Sequence, residues 1–160
     1  MELCIAWHKP INLLDGHKQH LTYTANGIES WKGVSGVYMF CRRYNNKIIP
    51  LYIGKAEDIA VRINQHFSHS SALMNKIATP SKGNKGRKVL IIGKFIPKSG
   101  QTTKKCITII ERALIVHALA EGYDLLNVHG TKTPTNRIHF SGNLGARSLT
   151  GKLLSVAKGA

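Results

Sequence analysis

Two tyrosines lie in adjacent segments whose composition predicts a β-hairpin. The segments Val37–Arg42 and Ile48–Ile53 are rich in the aromatic and β-branched residues that favour strands. Side chains alternate between the two faces of a strand, so Tyr38 and Tyr52 can point to the same side of the hairpin. Gly54 follows the second tyrosine and leaves room for a backbone or a phosphate to approach closely. The hairpin can therefore bring two phenolic hydroxyls to a place that an anion can reach.

An arginine and a histidine lie on the helix predicted to come next. Apolar residues recur at helical spacing across Ile59–Phe67, directly after Asp58, which is a good N-cap residue. Arg62 and His66 are four residues apart, so they lie one turn apart on the same side of that helix. They flank the apolar stripe, and we expect both side chains at the edge of the core.

A single glutamate lies within the longest predicted helix, which begins at residue 102 or 103 and ends at Glu121. The residues three and four positions away from Glu111 are mostly apolar, and a carboxylate in such surroundings is costly unless it meets a cation. A divalent metal ion, Arg62 or a lysine could be that cation.

The charge of the chain indicates a polyanionic partner. Its 160 residues carry 23 Lys and Arg against 8 Asp and Glu, a formal net charge of +15. From Ile59 to Ile110 there is no acidic residue, and none follows Asp124. Nucleic acid is the first partner that such a balance suggests, and an anionic membrane surface is the second. No long amphipathic segment has a basic face, which argues against the membrane surface.

Other features narrow the class of protein. No apolar run approaches the roughly 18 to 20 residues that a membrane span needs, and the first residues do not have the pattern of a signal peptide. Cys4, Cys41 and Cys106 are scattered and odd in number, which argues against a disulfide framework and a four-cysteine zinc module. We therefore expect a protein of the reducing cytoplasm.

The predicted order of elements is strand, strand, helix, helix, strand, helix. A second short helix is predicted over Ser71–Ala78 and a third strand over Val89–Ile96, separated by a basic loop with two glycines. This order describes a small α/β domain. We expect it at residues 33–130, between an N-terminal extension, 1–32, and a basic C-terminal extension, 131–160.

These residues resemble the motifs of the GIY-YIG nuclease superfamily. Gly36-Val37-Tyr38 and Tyr52-Ile53-Gly54 match the two motifs for which that family is named, with Val in place of Ile in the first. Arg62 in the following helix and Glu111 in a later helix continue the pattern, and the spacing from Arg62 to His66 is similar to that of restriction-type members. The resemblance implies an α+β sandwich with a three-stranded antiparallel sheet flanked by helices.

The resemblance also implies hydrolysis of phosphodiester bonds with one divalent metal ion, leaving a 5′-phosphate and a 3′-hydroxyl. Glu111 would be the ligand of Mg²⁺ or Mn²⁺, hard cations that prefer oxygen. Arg62 would hold phosphate oxygens as charge builds up. Tyr38 would be the general base or would orient the attacking water, and Tyr52 and His66 would position water or phosphate or relay the proton.

Further roles follow from the same resemblance. A free tyrosine has a pKa of about 10 and is a poor base at pH 7, so we expect Lys55 and Arg62 to favour the phenolate of Tyr38. Gly54, Lys55 and, with a weaker match, Asn127 would contact the substrate. Independently of the resemblance, four basic residues in and directly after the predicted loop are expected to hold the DNA backbone, although they could also form a solvated surface: Lys82, Lys85, Arg87 and Lys88.

Duplex DNA is the expected substrate, because no row of exposed aromatic residues of the kind that binds RNA is evident. A single enzyme of restriction type, or one from a phage or mobile element, fits the length of the chain best. A homodimer would cut both strands together, although one site can also cut them in turn. Two alternatives stay open: a nucleic-acid-binding module without activity, and a toxin or effector nuclease with non-specific DNA or RNA cleavage.

Overall fold

The computed structural model of the protein describes residues 1–68, 71–79, 85–127, 135–139, 141–143, 146 and 153–157. Its helices are α1 (Ile59–Phe67), α2 (Ala72–Ala78) and α3 (Thr103–Ala120), with short 3-10 helices at His17–Gln19 and Ile28–Trp31. The strands are β1 (Cys4–Trp7), β2 (Ile11–Asn12), β3 (Leu14–Asp15), β4 (Tyr23–Thr24), β5 (Gly36–Tyr44), β6 (Lys47–Ala56), β7 (Arg87–Ile96), β8 (Thr135–His139) and β9 (Leu153–Ala157).

The centre of the molecule is an antiparallel sheet in the order β1-β7-β5-β6, with β2 also paired to β7. The strands β7, β5 and β6 are the three-stranded sheet expected from the sequence, and the α+β class is confirmed. Strands β1 and β2 extend this sheet at β7 and come from the first 12 residues, within the segment expected to be an extension. Strands β3 and β4 form one small separate sheet, and β8 and β9 form another.

Helices cover both faces of the sheet because its strands alternate apolar residues to either side. Tyr38 and Phe40 pack with residues of α1 and α2, in the cluster that contains Ile63. On the other face, Met39 and Ile53 pack against α3. The sheet between two helical layers buries both sides of β5 and leaves β6 as an edge strand.

Local signals in the sequence placed the helix starts and the edge strand correctly. The carboxylate of Asp58 accepts hydrogen bonds from the backbone N–H of Val61 and of Gly33, at 3.1 and 2.8 Å, which caps α1. Pro50 limits a strand to an edge or a bulge, and the register between β5 and β6 shifts next to it, leaving Leu51 without an opposite residue. In the part of the chain that is described, no helix is both long and apolar enough to cross a bilayer.

Candidate active site

A cavity of about 650 Å³ opens at the outer edge of β6 and receives side chains from both faces of the sheet. Tyr52, Arg62 and His66 come from the face that α1 covers, and Lys55 and Glu111 from the face that α3 covers. The complete lining is Tyr52, Lys55, Arg62, Gln65, His66, Ser71, Leu73, Glu111, Arg112, Leu126 and Asn127. Six of the residues expected to be functional, Asn127 included, therefore meet at one edge strand.

Tyr38 lies directly beside this cavity but is completely buried, with 0% of its side chain exposed. It pairs across the hairpin with Gly54, and a Cβ on Gly54 would lie 2.5 Å from the Tyr38 hydroxyl oxygen. Glycine is therefore required here because the phenol ring occupies the space of a side chain. The room that Gly54 leaves is taken by a tyrosine.

The hydroxyl of Tyr38 is hydrogen-bonded to His66 Nε2 at 2.7 Å. Burial raises the pKa of Tyr38 well above its ordinary value, and the nearby Arg62 opposes this only in part. Burial, with the charge of Arg62 as a second cause, lowers the pKa of His66 to about 4. At neutral pH, both partners are therefore uncharged and can share one proton along the hydrogen bond.

Arg62 favours the phenolate of Tyr38, as expected, but Lys55 does not contribute, and the net effect of the site is to keep the phenol protonated. The loss of hydration on burial outweighs the charge of Arg62. The ammonium group of Lys55 is held by Glu111 and does not act on the phenol.

Tyr52 presents the second phenol to the cavity. Its ring centroid is 6.3 Å from that of Tyr38 and 5.8 Å from that of His66, so the three rings form one group. The two tyrosines share a face of the hairpin as the alternation predicted, because Tyr52 pairs with Phe40. Burial raises the pKa of Tyr52 as well, while Arg62 lowers it.

Arg62 lies on the exposed side of α1, next to this aromatic group. Its Nη1 donates to Oε1 of Gln65 at 3.3 Å, within the same helix. The tyrosine hydroxyls raise the pKa of Arg62 against the effect of burial, so the guanidinium is always charged. Arg62 and His66 both line the cavity, as their shared side of the helix predicted.

Glu111 forms an ion pair with Lys55, with Nζ and Oε2 separated by 2.5 Å. The two side chains, Lys55 and Glu111, are 33% and 17% exposed. A lysine was one of the cations considered for Glu111, and it satisfies the carboxylate in this structure. Lys55 therefore lines the cavity as the ion-pair partner of Glu111 and not as an isolated cation.

A divalent metal ion would find one carboxylate here. Among the residues that the structure describes, no group of three or more His, Cys, Asp or Glu side chains is arranged to hold a metal ion. Mg²⁺, however, is commonly bound through one or two carboxylates, with waters and substrate phosphate completing its coordination. Glu111, facing a cavity large enough for those further ligands, fits such a site.

Asn127 uses its side chain on the backbone of β6. Its Oδ1 accepts from the N–H of Ile53 at 3.0 Å, and its Nδ2 donates to the carbonyl of the same residue at 2.6 Å. The side chain is buried, so these bonds close part of the open edge of the sheet. The residue expected to contact substrate therefore holds the strand that carries Tyr52 and Lys55.

The basic residues expected to bind DNA lie away from the cavity. Arg87 and Lys88 begin β7, Lys85 lies two residues before it, and Lys82 is outside the described residues. Sequence reasoning missed Gln65, Ser71 and Arg112, which also line the cavity. Arg112 directly follows Glu111, and Gln65 lies one turn from Arg62, so helical spacing could have found both.

The segment that carries most of the cavity residues matches a known family. The sequence model of the GIY-YIG catalytic domain matches residues 34–124, more than half of the 160-residue chain. The chain belongs to the GIY-YIG family. It matched none of the curated proteins and none of the solved structures with which it was compared. The GIY-YIG match includes both tyrosines, Arg62, His66 and Glu111, and it gives the chain a nuclease-type fold.

Proposed function

We propose that this protein is a metal-dependent endonuclease that hydrolyses phosphodiester bonds of duplex DNA. The observation that carries the proposal is the convergence of Tyr52, Arg62, His66 and Glu111 on one cavity within a GIY-YIG domain. The net charge of +15 supports a nucleic acid substrate. The three cysteines of the chain are free in this structure, which is consistent with a cytoplasmic enzyme.

In this proposal, a water molecule attacks phosphorus, and the bond from phosphorus to the 3′ oxygen breaks. The products are a 5′-phosphate and a 3′-hydroxyl. Arg62 binds the non-bridging oxygens, where negative charge increases in the transition state. Its position on the exposed side of α1, beside the cavity, allows this contact without unfolding the helix.

In this proposal Tyr38 does not contact the attacking water but relays its proton from Tyr52 to His66, which is the final acceptor. Tyr38 is buried, so the pocket-facing hydroxyl of Tyr52 takes the proton of the attacking water as it gives its own proton to Tyr38. Tyr38 passes its proton along the 2.7 Å hydrogen bond to His66 Nε2. The negative charge of the bound phosphate offsets that of Arg62 and so makes the imidazole a better proton acceptor.

Glu111 would hold the Mg²⁺ or Mn²⁺ ion of the site. When bound, such an ion polarises the scissile phosphate and stabilises the leaving 3′ oxygen. Lys55, which neutralises Glu111 in this structure, would then be released from Oε2 and be free to contact a phosphate oxygen. Gly54 contributes by admitting the ring of Tyr38, and Asn127 by fixing β6.

The ion pair between Lys55 and Glu111 favours a second candidate function. With its carboxylate neutralised by a lysine, the domain would bind nucleic acid without cutting it. In this alternative, the basic surface binds nucleic acid and no phosphodiester bond is hydrolysed.

The experiment that separates the two candidates is cleavage of supercoiled plasmid with Mg²⁺ or Mn²⁺. Wild-type protein is compared with Glu111→Gln, which keeps the size of the side chain, and with the control Glu121→Gln, an exposed glutamate at the end of the same helix. We expect metal-dependent nicking or linearisation by the wild type and the control only, with 5′-phosphate ends. Intact plasmid in all reactions, with DNA bound, would contradict the nuclease and support the binding module.

A further inference from the structure

A second positive surface lies at the end of the central sheet, where β5 ends and β7 begins. The pairing of these antiparallel strands sets Arg42 opposite Lys88 and Arg43 opposite Arg87. Directly opposed residues point to the same face, so one cationic pair lies on each face of the sheet. We call these four residues the sheet-end cluster.

The sheet-end cluster is an arrangement that the fold itself does not favour. Like charges directly opposite each other on neighbouring strands are destabilising. Among the described residues, the ion pairs are Lys55–Glu111 and Lys98–Glu2, so neither Arg43 nor Arg87 takes part in one there. The surrounding sequence has no acid between residues 59 and 110. The repulsion within the cluster is therefore not offset by nearby carboxylates of that segment.

The cluster is nevertheless held in place by the loop that precedes β7. Arg42 Nη1 donates to the carbonyl of Lys85 at 3.2 Å, and its buried Nε has no hydrogen-bond partner among the described residues. Gly86, with φ of +111°, passes so close to the carbonyl of Arg43 that any side chain at this position would collide with it. Lys88 Nζ donates to the carbonyl of Gly86 at 3.1 Å. These contacts fix the backbone that presents the four charges.

We propose that the sheet-end cluster binds backbone phosphates of the same nucleic acid that enters the cavity, away from the scissile bond. This inference rests on the proposed function for the identity of the substrate. Phosphate is the ligand that would relieve the mutual repulsion of the cluster, and arginine is well suited to bind its oxygens in pairs.

The strand geometry sets the spacing between the two sites. Arg42 lies four residues along β5 from Tyr38 and five from Val37, the partner of Lys55. At about 3.4 Å per residue, this separation along the strand is roughly 14 to 17 Å. It corresponds to about four or five base pairs of B-DNA at 3.4 Å each. The cluster therefore contributes affinity for substrates that extend at least this far from the cleavage position.

The first test measures the salt dependence of DNA binding by the full-length protein. Arg43→Gln/Arg87→Gln removes two exposed charges of the cluster, and Lys18→Gln/Lys105→Gln removes two exposed lysines elsewhere as a matched control. A 30-base-pair duplex is titrated in EDTA by fluorescence anisotropy over a series of salt concentrations. We expect the slope of log K against log salt to become shallower by about 1.8 in the cluster variant, about 0.9 for each phosphate that the variant no longer neutralises. An equal change in the control would overturn the inference.

The second test varies the length of the duplex, once the cleavage position is known from end sequencing. One duplex extends three base pairs beyond that position on each side and another extends ten. The wild type is expected to bind the longer one at least tenfold more tightly than the cluster variant, and the two proteins are expected to bind the shorter one equally. A deficit of the variant that is the same for both lengths would contradict the spacing and the proposal with it.

A stability measurement separates binding from folding. Removing one pair of opposed like charges should leave the thermal midpoint of the variant equal to that of the wild type or raise it. If the double variant unfolds early, Arg87→Gln alone is used, with an expected slope change of about 0.9.

The outcomes also separate this inference from the nuclease assignment. Unimpaired binding by the cluster variants in a protein that cuts DNA contradicts only the cluster. Impaired binding in a wild type that never cuts supports the cluster and contradicts the nuclease.

Discussion

The cavity at β6 and the sheet-end cluster are both cationic, but cations are paired with other groups in the cavity and face one another in the cluster. In the cavity, Lys55 is matched by Glu111 at 2.5 Å, and Arg62 contacts Gln65 and the aromatic group. In the cluster, Arg43 faces Arg87 across two strands. The first region positions a few groups closely, whereas the second accumulates like charge. This difference agrees with our two proposals, in which the cavity carries out a reaction and the cluster attracts a polyanion.

The proton path gives the largest expected effect in the cavity. Tyr38→Phe and His66→Gln each remove one partner of the 2.7 Å hydrogen bond. We expect each to lower the single-turnover cleavage rate by about 10² to 10⁴-fold, as is typical when acid–base catalysis is removed. Because the two groups share one proton, the double variant should be no slower than the slower single variant.

Rapid-quench kinetics with saturating DNA measures the cleavage rates of the wild type, the two single variants and the double variant. Tyr44→Phe, at an exposed position late in β5, is the matched control. Multiplicative losses in the double variant would show that the two side chains act separately.

Arg62 should affect the reaction more than the binding. Arg62→Ala is expected to lower turnover by about 10² to 10³-fold because the guanidinium stabilises charge that develops in the transition state. DNA affinity should change only a few-fold, since the sheet-end cluster remains. Parallel measurement of the rate and the dissociation constant checks this, with Lys105→Ala as a control. Equal losses in both quantities would make Arg62 a backbone anchor and would remove the contrast between the two regions.

Asn127 tests whether the cavity depends on a well-held edge strand. Asn127→Ala leaves the buried N–H and carbonyl of Ile53 without these partners. We expect a loss of about 2 to 3 kcal/mol in the free energy of unfolding, measured with urea. At a temperature where the variant is folded, cleavage should be reduced less than tenfold. A large loss of activity with full stability would instead assign Asn127 to the substrate, as the family resemblance first suggested.

The buried imidazole gives the smallest of these effects, a dependence of stability on pH. The pKa of His66 is about 4 in the folded protein, and that of an unfolded histidine is about 6.5. Between these values the unfolded chain binds more protons, so stability falls as the pH falls through this window. After allowance for solvent screening, we expect a loss of about 2 kcal/mol between pH 7.5 and pH 4.5.

Urea unfolding at the two pH values checks this, with His66→Gln expected to lose less than the wild type. His117→Gln, an exposed position on α3, is the control for removing an imidazole. The same pH dependence in wild type and His66→Gln would place the responsible proton elsewhere.

Local sequence patterns predicted much of the fold and several of the residues that line the cavity. Helical spacing placed Arg62 and His66 on one side of α1, and strand alternation placed Tyr38 and Tyr52 on one face. What the patterns did not predict depends on contacts between distant segments. The ion pair of Lys55 with Glu111 joins residues 56 positions apart, and its formation requires α3 to pack on the face of β6 opposite α1.

The burial of Tyr38 has the same origin. Local composition predicts the strand that contains Tyr38. The burial of its phenol, however, depends on the packing of α1 and α2 against the sheet. Arg43 and Arg87 likewise lie opposite each other because of the strand register, which cannot be predicted from either strand alone.

The irregular edge of β6 has a consequence for the behaviour of the protein in concentrated solution. Pro50 lacks an N–H, Leu51 is bulged, and the carbonyl of Leu51 accepts a hydrogen bond from the N–H of Leu126 at 2.7 Å. An exposed edge strand can recruit strands of other molecules and start aggregation. At the centre of β6, the carbonyl of Leu51 and both backbone groups of Ile53 already have partners, so they cannot pair with a further strand. The irregular edge beside the cavity thus helps to keep copies of the protein from pairing edge to edge.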